Sequence, residues 1–270
     1  MNKITYAEMF KNTGKRNEGV FIPFVVAGDP NYEISLKVVK KLVDSGADAL
    51  EIGFTFSDPI ADGPSVQNAD LRASKSGMTV EKSFEFLEEV RQFTEKPIGL
   101  LLYFNLVYKY GMENFYKRLN SIGINAVLIA DLPPEESGQV EQIAHENKIE
   151  QIFIVSQATS NARLGKISSI GSGFIYAASV MGTTGIRSNV EKNTTELIKR
   201  IKNGSNLPVC VGFGISRPEH VEEVLSAGAD GAIVGSAIIN IIEGNLDNEE
   251  EMLKKVSEYV KNMKKATKRM

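Results

Sequence analysis

One carboxylate interrupts an apolar run. Glu51 stands in "ALEIGF", and the chain then passes through "FTFSDPIADGPSVQNAD" with Asp58 and Asp62 among prolines and small residues. A carboxylate in apolar surroundings is costly unless something uses it. If "ALEIGF" is a strand, Glu51 shares a face with Ala49 and Gly53, while Leu50 and Ile52 point the other way. Small neighbours suit a barrel interior or mouth. Loss of water there raises the carboxyl pKa toward neutrality, as a general acid-base requires. The plainer alternative pairs Glu51 with a buried cation, but the other apolar runs offer no inward Lys or Arg. Asp62 lies 11 positions beyond Glu51, in what reads as a long loop able to fold back over the mouth. Two carboxylates in different environments can divide acid and base roles. Asp58, followed by Pro59, reads as turn chemistry.

Two further stretches could hold a phosphate. "VGFGISRPE" supplies Gly212, Gly214 and Ser216; "VGSAIIN" supplies Gly235 and Ser236 at the start of a short helix. Glycines let backbone N–H groups approach an anion, and a helix N-terminus adds partial positive charge. Rim turns also use glycine, but two such loops together favour phosphate. "SVMGTTGIRSN" is rich in Gly and Thr, and reads equally as a lid or an ordinary loop. Phe24, Leu101, Tyr103, Tyr176 and Phe213 all fall at the ends of apolar runs, where a flat aromatic substrate could be sandwiched.

The elements that must position these groups alternate. Eight short apolar runs ("VFIPFVVAG", "ALEIGF", "PIGLLLY", "AVLIAD", "EQIFIVS", "GFIYAAS", "PVCVGFG", "GAIVGSA") are separated by amphipathic segments. Near-continuous apolar strands are those of a parallel sheet covered on both faces. "NYEISLKVVKKLVDSG" has helical spacing, "TVEKSFEFLEEVRQFT" has Thr79 as N-cap, and "RPEHVEEVLSAG" has Pro218 in its first turn. The pattern predicts an α/β fold, a (β/α)8 TIM barrel over residues 1–270 as a single domain, with the extra helix "TYAEMFKN" plugging its N-terminal end. A doubly wound sheet is disfavoured, because "AGDPNYE" after the first run has no G-x-G-x-x-G pattern. In such a barrel chemistry belongs at the strand C-terminal ends.

Bulk properties exclude other classes. Hydrophobic residues make up 42% and charged residues 24%, with a net charge of -3, which supports neither a nucleic-acid nor a membrane partner. The basic tail "KKVSEYVKNMKKATKRM" reads as a solvated helix face. The single Cys210 lies in an apolar run and reads as a buried, inert thiol. With no secretory signal pattern, the expected location is cytoplasmic.

The chain resembles the tryptophan synthase α subunit family over nearly its whole length. The resemblance rests on "PFVVAGDP", "GADALEIG", "FSDPIADGPSVQNA", "PIGLLLYFN", "DLPPEES", "GFGIS" and "GAIVGSA". It implies a (β/α)8 barrel that cleaves indole-3-glycerol phosphate to indole and glyceraldehyde 3-phosphate, a carbon–carbon lyase reaction of tryptophan biosynthesis. It also implies no metal and no cofactor in this subunit, and an α2β2 assembly with a β subunit that uses pyridoxal phosphate and receives the indole. The acid-base glutamate falls on Glu51 and the catalytic aspartate on Asp62. Phosphate contacts fall on Gly185, Gly214, Gly235 and Ser236, indole packing on Phe24, Leu101, Tyr103 and Phe213, and Thr184 positions the aspartate.

Departures are local. Thr55 stands where the family usually has proline, which implies a more flexible Asp62 loop and an altered contact with the β subunit. "SQATSNAR" and "GTTG" also differ from the usual pattern, though Arg163 and Thr184 are kept. Alternatives are another phosphate-binding barrel isomerase, or a chain acting mainly as allosteric activator of a β subunit. The isomerase would share the Gly214 and Ser236 region but would not need both Glu51 and the "SDPIADGP" loop.

Overall fold

The computed structural model describes residues 3–178 and 187–269, and of residues 187–192 the helical backbone alone. Thr184 and Gly185 therefore lie outside the described residues. The strands are β1 (Val20–Val26), β2 (Leu50–Gly53), β3 (Ile98–Leu102), β4 (Ala126–Ile129), β5 (Glu150–Val155), β6 (Ile175–Ala178), β7 (Val209–Gly212) and β8 (Gly231–Val234). They close into one parallel barrel in chain order, with β8 pairing β1. Helices surround it: α1 (Tyr6–Lys15), α2 (Tyr32–Asp44), α3 (Pro64–Lys75), α4 (Val80–Phe93), α5 (Phe104–Tyr110), α6 (Met112–Ile122), α7 (Gly138–Glu146), α8 (Asn161–Ile170), α9 (Arg187–Gly204), α10 (Pro218–Ser226), α11 (Ser236–Glu243) and α12 (Glu249–Lys265).

The strands are apolar throughout because both faces are covered. Every residue of β1 is buried, from Val20 to Val26. One face packs inward with Val20, Ile22, Ala49, Ala126, Leu128, Ile152, Tyr176, Cys210 and Ile233. The other face packs against the helices. Helix α1 closes the N-terminal end as its sequence suggested: Tyr6 and Met9 join the inner cluster, and the Tyr6 ring meets Phe174 edge-on at 5.4 Å. Gly99 makes this possible, since a side-chain carbon there would fall 2.6 Å from the Tyr6 hydroxyl.

Local signals act as expected at several helix ends. Thr79 accepts the Lys82 N–H at 3.2 Å, and Asn31 accepts the Ile34 N–H at 3.0 Å. Gly123 ends α6 in the left-handed conformation.

One element differs from the sequence reading. The stretch read as loop through Asp70 turns helical at Pro64, so the loop after β2 ends at Gly63. Proline at the first helical position sacrifices no hydrogen bond, and Gly63 before it takes the extended N-cap conformation. The polar first turn hides the helix from a periodicity argument, but Val66, Ala69, Asp70 and Ala73 form its buried face. Among the described residues, no helix is long and apolar enough to cross a membrane.

Candidate active site

The register of the first three strands builds the floor of the site. Phe24 on β1 lies opposite Glu51 on β2, and Glu51 lies opposite Gly99 on β3. Gly53, one inward position further on, lies opposite Leu101. Alternation therefore points Glu51 inward between small neighbours, as the sequence indicated.

Glu51 is 4% exposed, and its Oε2 has no hydrogen-bond partner among the described residues. Burial, and then the charge of Asp62, push its pKa up to about 8. The group is thus a largely protonated carboxylic acid near neutral pH. When ionised, its charge also reaches the hydroxyls of Tyr6 and Tyr176, which burial already holds well above the usual phenol range.

Asp62 approaches from the loop between β2 and α3. It is half-buried, and burial raises its pKa while a hydrogen bond from Tyr103 opposes the rise. The Tyr103 hydroxyl donates to Asp62 Oδ2 at 2.7 Å and accepts the Ala61 N–H at 3.0 Å. Gln67 on α3 donates to the Asp62 carbonyl at 2.8 Å. The Phe56 ring stacks on Tyr103 with centroids 4.8 Å apart and planes 18° from parallel. Asp58 is exposed and accepts its neighbour Ser57's hydroxyl at 2.6 Å, a turn role. Helix α3 is itself anchored: Arg72 pairs both oxygens of buried Asp29, at 2.7 and 3.0 Å, and reaches Glu243 at 2.9 Å.

The aromatic and apolar candidates gather around these acids. Phe24 and Tyr176 are buried in the barrel mouth, Leu101 is half-buried, and Phe213 is 44% exposed. Phe213 meets Tyr176 edge-on at 5.7 Å. Gly212 leaves room for Tyr176, because a side-chain carbon there would fall 2.1 Å from its hydroxyl. Gly235 does the same for Phe24, with only 2.9 Å to its Cδ1. Phe213 and Gly214 both take positive φ, 69° and 74°, which turns the chain sharply after β7. Gly235 caps α11, so the amide groups around Ser236 begin a helix at the end of β8. The glycines thus leave room for the Tyr176 and Phe24 rings and set the turns after β7 and β8.

Three contributors escaped the sequence reading: Phe56, Gln67 and Asp70. Asp70 is a buried acid, pushed up to about 7 by burial and then by the charge of Asp62. Its place on the inner face of α3, between Ala69 and Ala73, is the signal that would have found it. Phe56 and Gln67 act through contacts that no spacing reveals.

Comparison with known proteins agrees with this arrangement. Residues 10–268 match the family described as tryptophan synthase alpha chain. A tryptophan synthase alpha chain from Methanothermobacter thermautotrophicus is 56% identical over 264 residues, covering 97% of this chain and 96% of its own. The solved tryptophan synthase subunit alpha of Legionella pneumophila superposes with a TM-score of 0.90 at 29% identity, covering 99% of this chain and 98% of that one. A chain of the tryptophan synthase α2β2 complex from the hyperthermophile Pyrococcus furiosus gives a TM-score of 0.82 at 33% identity, covering 92% and 98%.

Proposed function

The chain belongs to the tryptophan synthase alpha chain family, and from that premise we propose how its residues cleave indole-3-glycerol phosphate into indole and glyceraldehyde 3-phosphate. The observation that carries the reading is Glu51: a buried carboxyl with one unpartnered oxygen, next to Asp62 at the barrel mouth.

The reaction breaks the bond between indole C3 and C1′ of the glycerol chain. A proton must arrive at C3, and one must leave the C1′ hydroxyl as it becomes an aldehyde. Protonation at C3 makes a cationic indolenine, and the electron pair of the broken bond then returns to the ring to give indole. Glu51, held protonated by burial, delivers the first proton and as carboxylate removes the second. Asp62 places its negative charge at the ring nitrogen and stabilises the cation. Its hydrogen bond from Tyr103 favours the ionised form this requires.

Phe24, Leu101, Tyr103, Tyr176 and Phe213 pack the ring. Backbone amides at Gly214, Gly235 and Ser236 hold the phosphate, joined by Gly185 from outside the described residues, where Thr184 positions Asp62. Fixing the phosphate at one end keeps C3 in register with the acids. No step calls for a metal or a cofactor in this chain.

The reading pairs the chain with a β subunit in an α2β2 assembly, the β subunit holding pyridoxal phosphate and receiving the indole. Exposed apolar Ile60 and Tyr108, 84% and 64% accessible, lie in the segments after β2 and β3 and support docking at the site's own end. A cytoplasmic location follows from this biosynthetic role. The test is spectroscopic detection of indole from indole-3-glycerol phosphate, alone and with a β subunit. Indole formation that rises with the β subunit is expected; no indole under either condition would overturn the reading.

A further inference from the structure

We propose that Thr55 is a positioning residue for Asp62: its hydroxyl fastens the start of the loop to helix α3, and the Phe56–Tyr103 ring stack carries that restraint to the Asp62 carboxylate. The inference rests on the role given to Asp62 above.

The loop from Phe54 to Gly63 leaves the barrel at Gly53 and enters α3 at Pro64. Ser57, Asp58, Ile60 and Ala61 are exposed, so the middle of the loop has little packing of its own. Contacts near its ends must therefore fix where Asp62 sits. Thr55 Oγ1 donates to the Asp70 carbonyl on α3 at 2.9 Å, across 15 residues of sequence. The next residue addresses the same place, since the Phe56 N–H faces the buried Asp70 carboxyl and favours its charged form. The Phe56 ring then lies flat on Tyr103 at 4.8 Å, and the Tyr103 hydroxyl holds Asp62 at 2.7 Å. Each link from Thr55 to Asp62 is a direct contact or a chain bond.

The family resemblance puts proline at this position, and proline has no hydroxyl to donate. Here the restraint comes from a contact with a neighbouring helix instead. The looser loop expected from Thr55 is therefore not what the geometry supports. Helix α3 is a firm anchor, because Arg72 holds it to buried Asp29.

Charge stabilisation depends on placement, and a small displacement of a catalytic group is felt in the chemical step. Removal of the hydroxyl should therefore lower kcat while leaving KM nearly unchanged, since the phosphate and ring contacts stay in place. The experiment compares Thr55→Val, which keeps the shape, with Thr55→Ser, which keeps the donor. Indole formation is measured with the β subunit saturating, and Asp62→Asn serves as reference. Thr55→Val should lose roughly fivefold in kcat, the equivalent of one side-chain hydrogen bond, with KM within about twofold and the melting temperature little changed. Thr55→Ser should recover most of the loss. Wild-type kcat in Thr55→Val, or failure of Thr55→Ser to recover, overturns the inference. If Asp62→Asn itself turns over normally, it is the role of Asp62 that fails, and Thr55 has nothing to position.

Discussion

The Tyr103 hydroxyl donates to Asp62 Oδ2 at 2.7 Å and itself accepts the Ala61 N–H at 3.0 Å. One side chain at the end of β3 thereby holds both the carboxylate and the backbone of the loop that follows β2. Tyr103→Phe keeps the ring stacked on Phe56 but removes both bonds. The expected loss in kcat is about tenfold, or ~1.4 kcal/mol, with KM changed less. Steady-state indole formation checks this, and a larger change in KM than in kcat would make Tyr103 a binding residue only.

The pH dependence follows from the two acids. Glu51 must start protonated, and its pKa stands at about 8, so kcat/KM should fall as pH rises beyond that value. Asp62 must be ionised, and burial raises its pKa, so activity should also fall on the acid side. A bell-shaped profile is expected. A profile that stays flat from about pH 7 to 10 would remove Glu51 as the acid.

Stability should move the opposite way to activity. The Glu51 carboxyl is near 4.5 when unfolded and about 8 when folded. Below the unfolded value both states hold the proton and nothing is lost. As pH rises from 4.5 to 8 the unfolded chain releases its proton while the fold retains it, so folding becomes steadily less favourable. Glu51→Gln removes this penalty. The rise from 4.5 to about 8, at ~1.4 kcal/mol per tenfold change in proton affinity, amounts to about 5 kcal/mol at pH 8, of which Glu51→Gln should recover about 2 kcal/mol. That corresponds to roughly 4–8 °C in Tm. The gain should shrink toward pH 4.5, as thermal melts at several pH values would show.

Gly235 is constrained from two sides. A side-chain carbon would meet Phe24 at 2.9 Å, and the residue caps α11 where the phosphate is expected. Gly235→Asp adds negative charge as well as bulk, so glycerol phosphate should bind at least about tenfold more weakly by calorimetry. Unchanged affinity would move the phosphate elsewhere.

The sequence made the barrel legible because its eight apolar runs become the eight strands, and because α1 sits where an extra helix was expected. Glu51 was legible for the same reason, as the acid that breaks an apolar alternation. Helix α3 was not, since Pro64 and a polar first turn mimic a loop. The second use of Tyr103 was not legible either: its partner Asp62 is 41 positions away, and nothing in spacing says which loop a tyrosine will hold. Thr55 reads in the sequence as a loosened joint, yet its partner is the Asp70 carbonyl on a helix that the polar first turn disguises.

Buried Glu51 moves the protons in this mechanism. The direct measurement is indole release by Glu51→Gln in the complex with the β subunit, with substrate affinity measured alongside. Glutamine keeps the shape but cannot exchange a proton, so turnover should vanish while affinity stays near wild type. Turnover near wild type in Glu51→Gln would contradict the account.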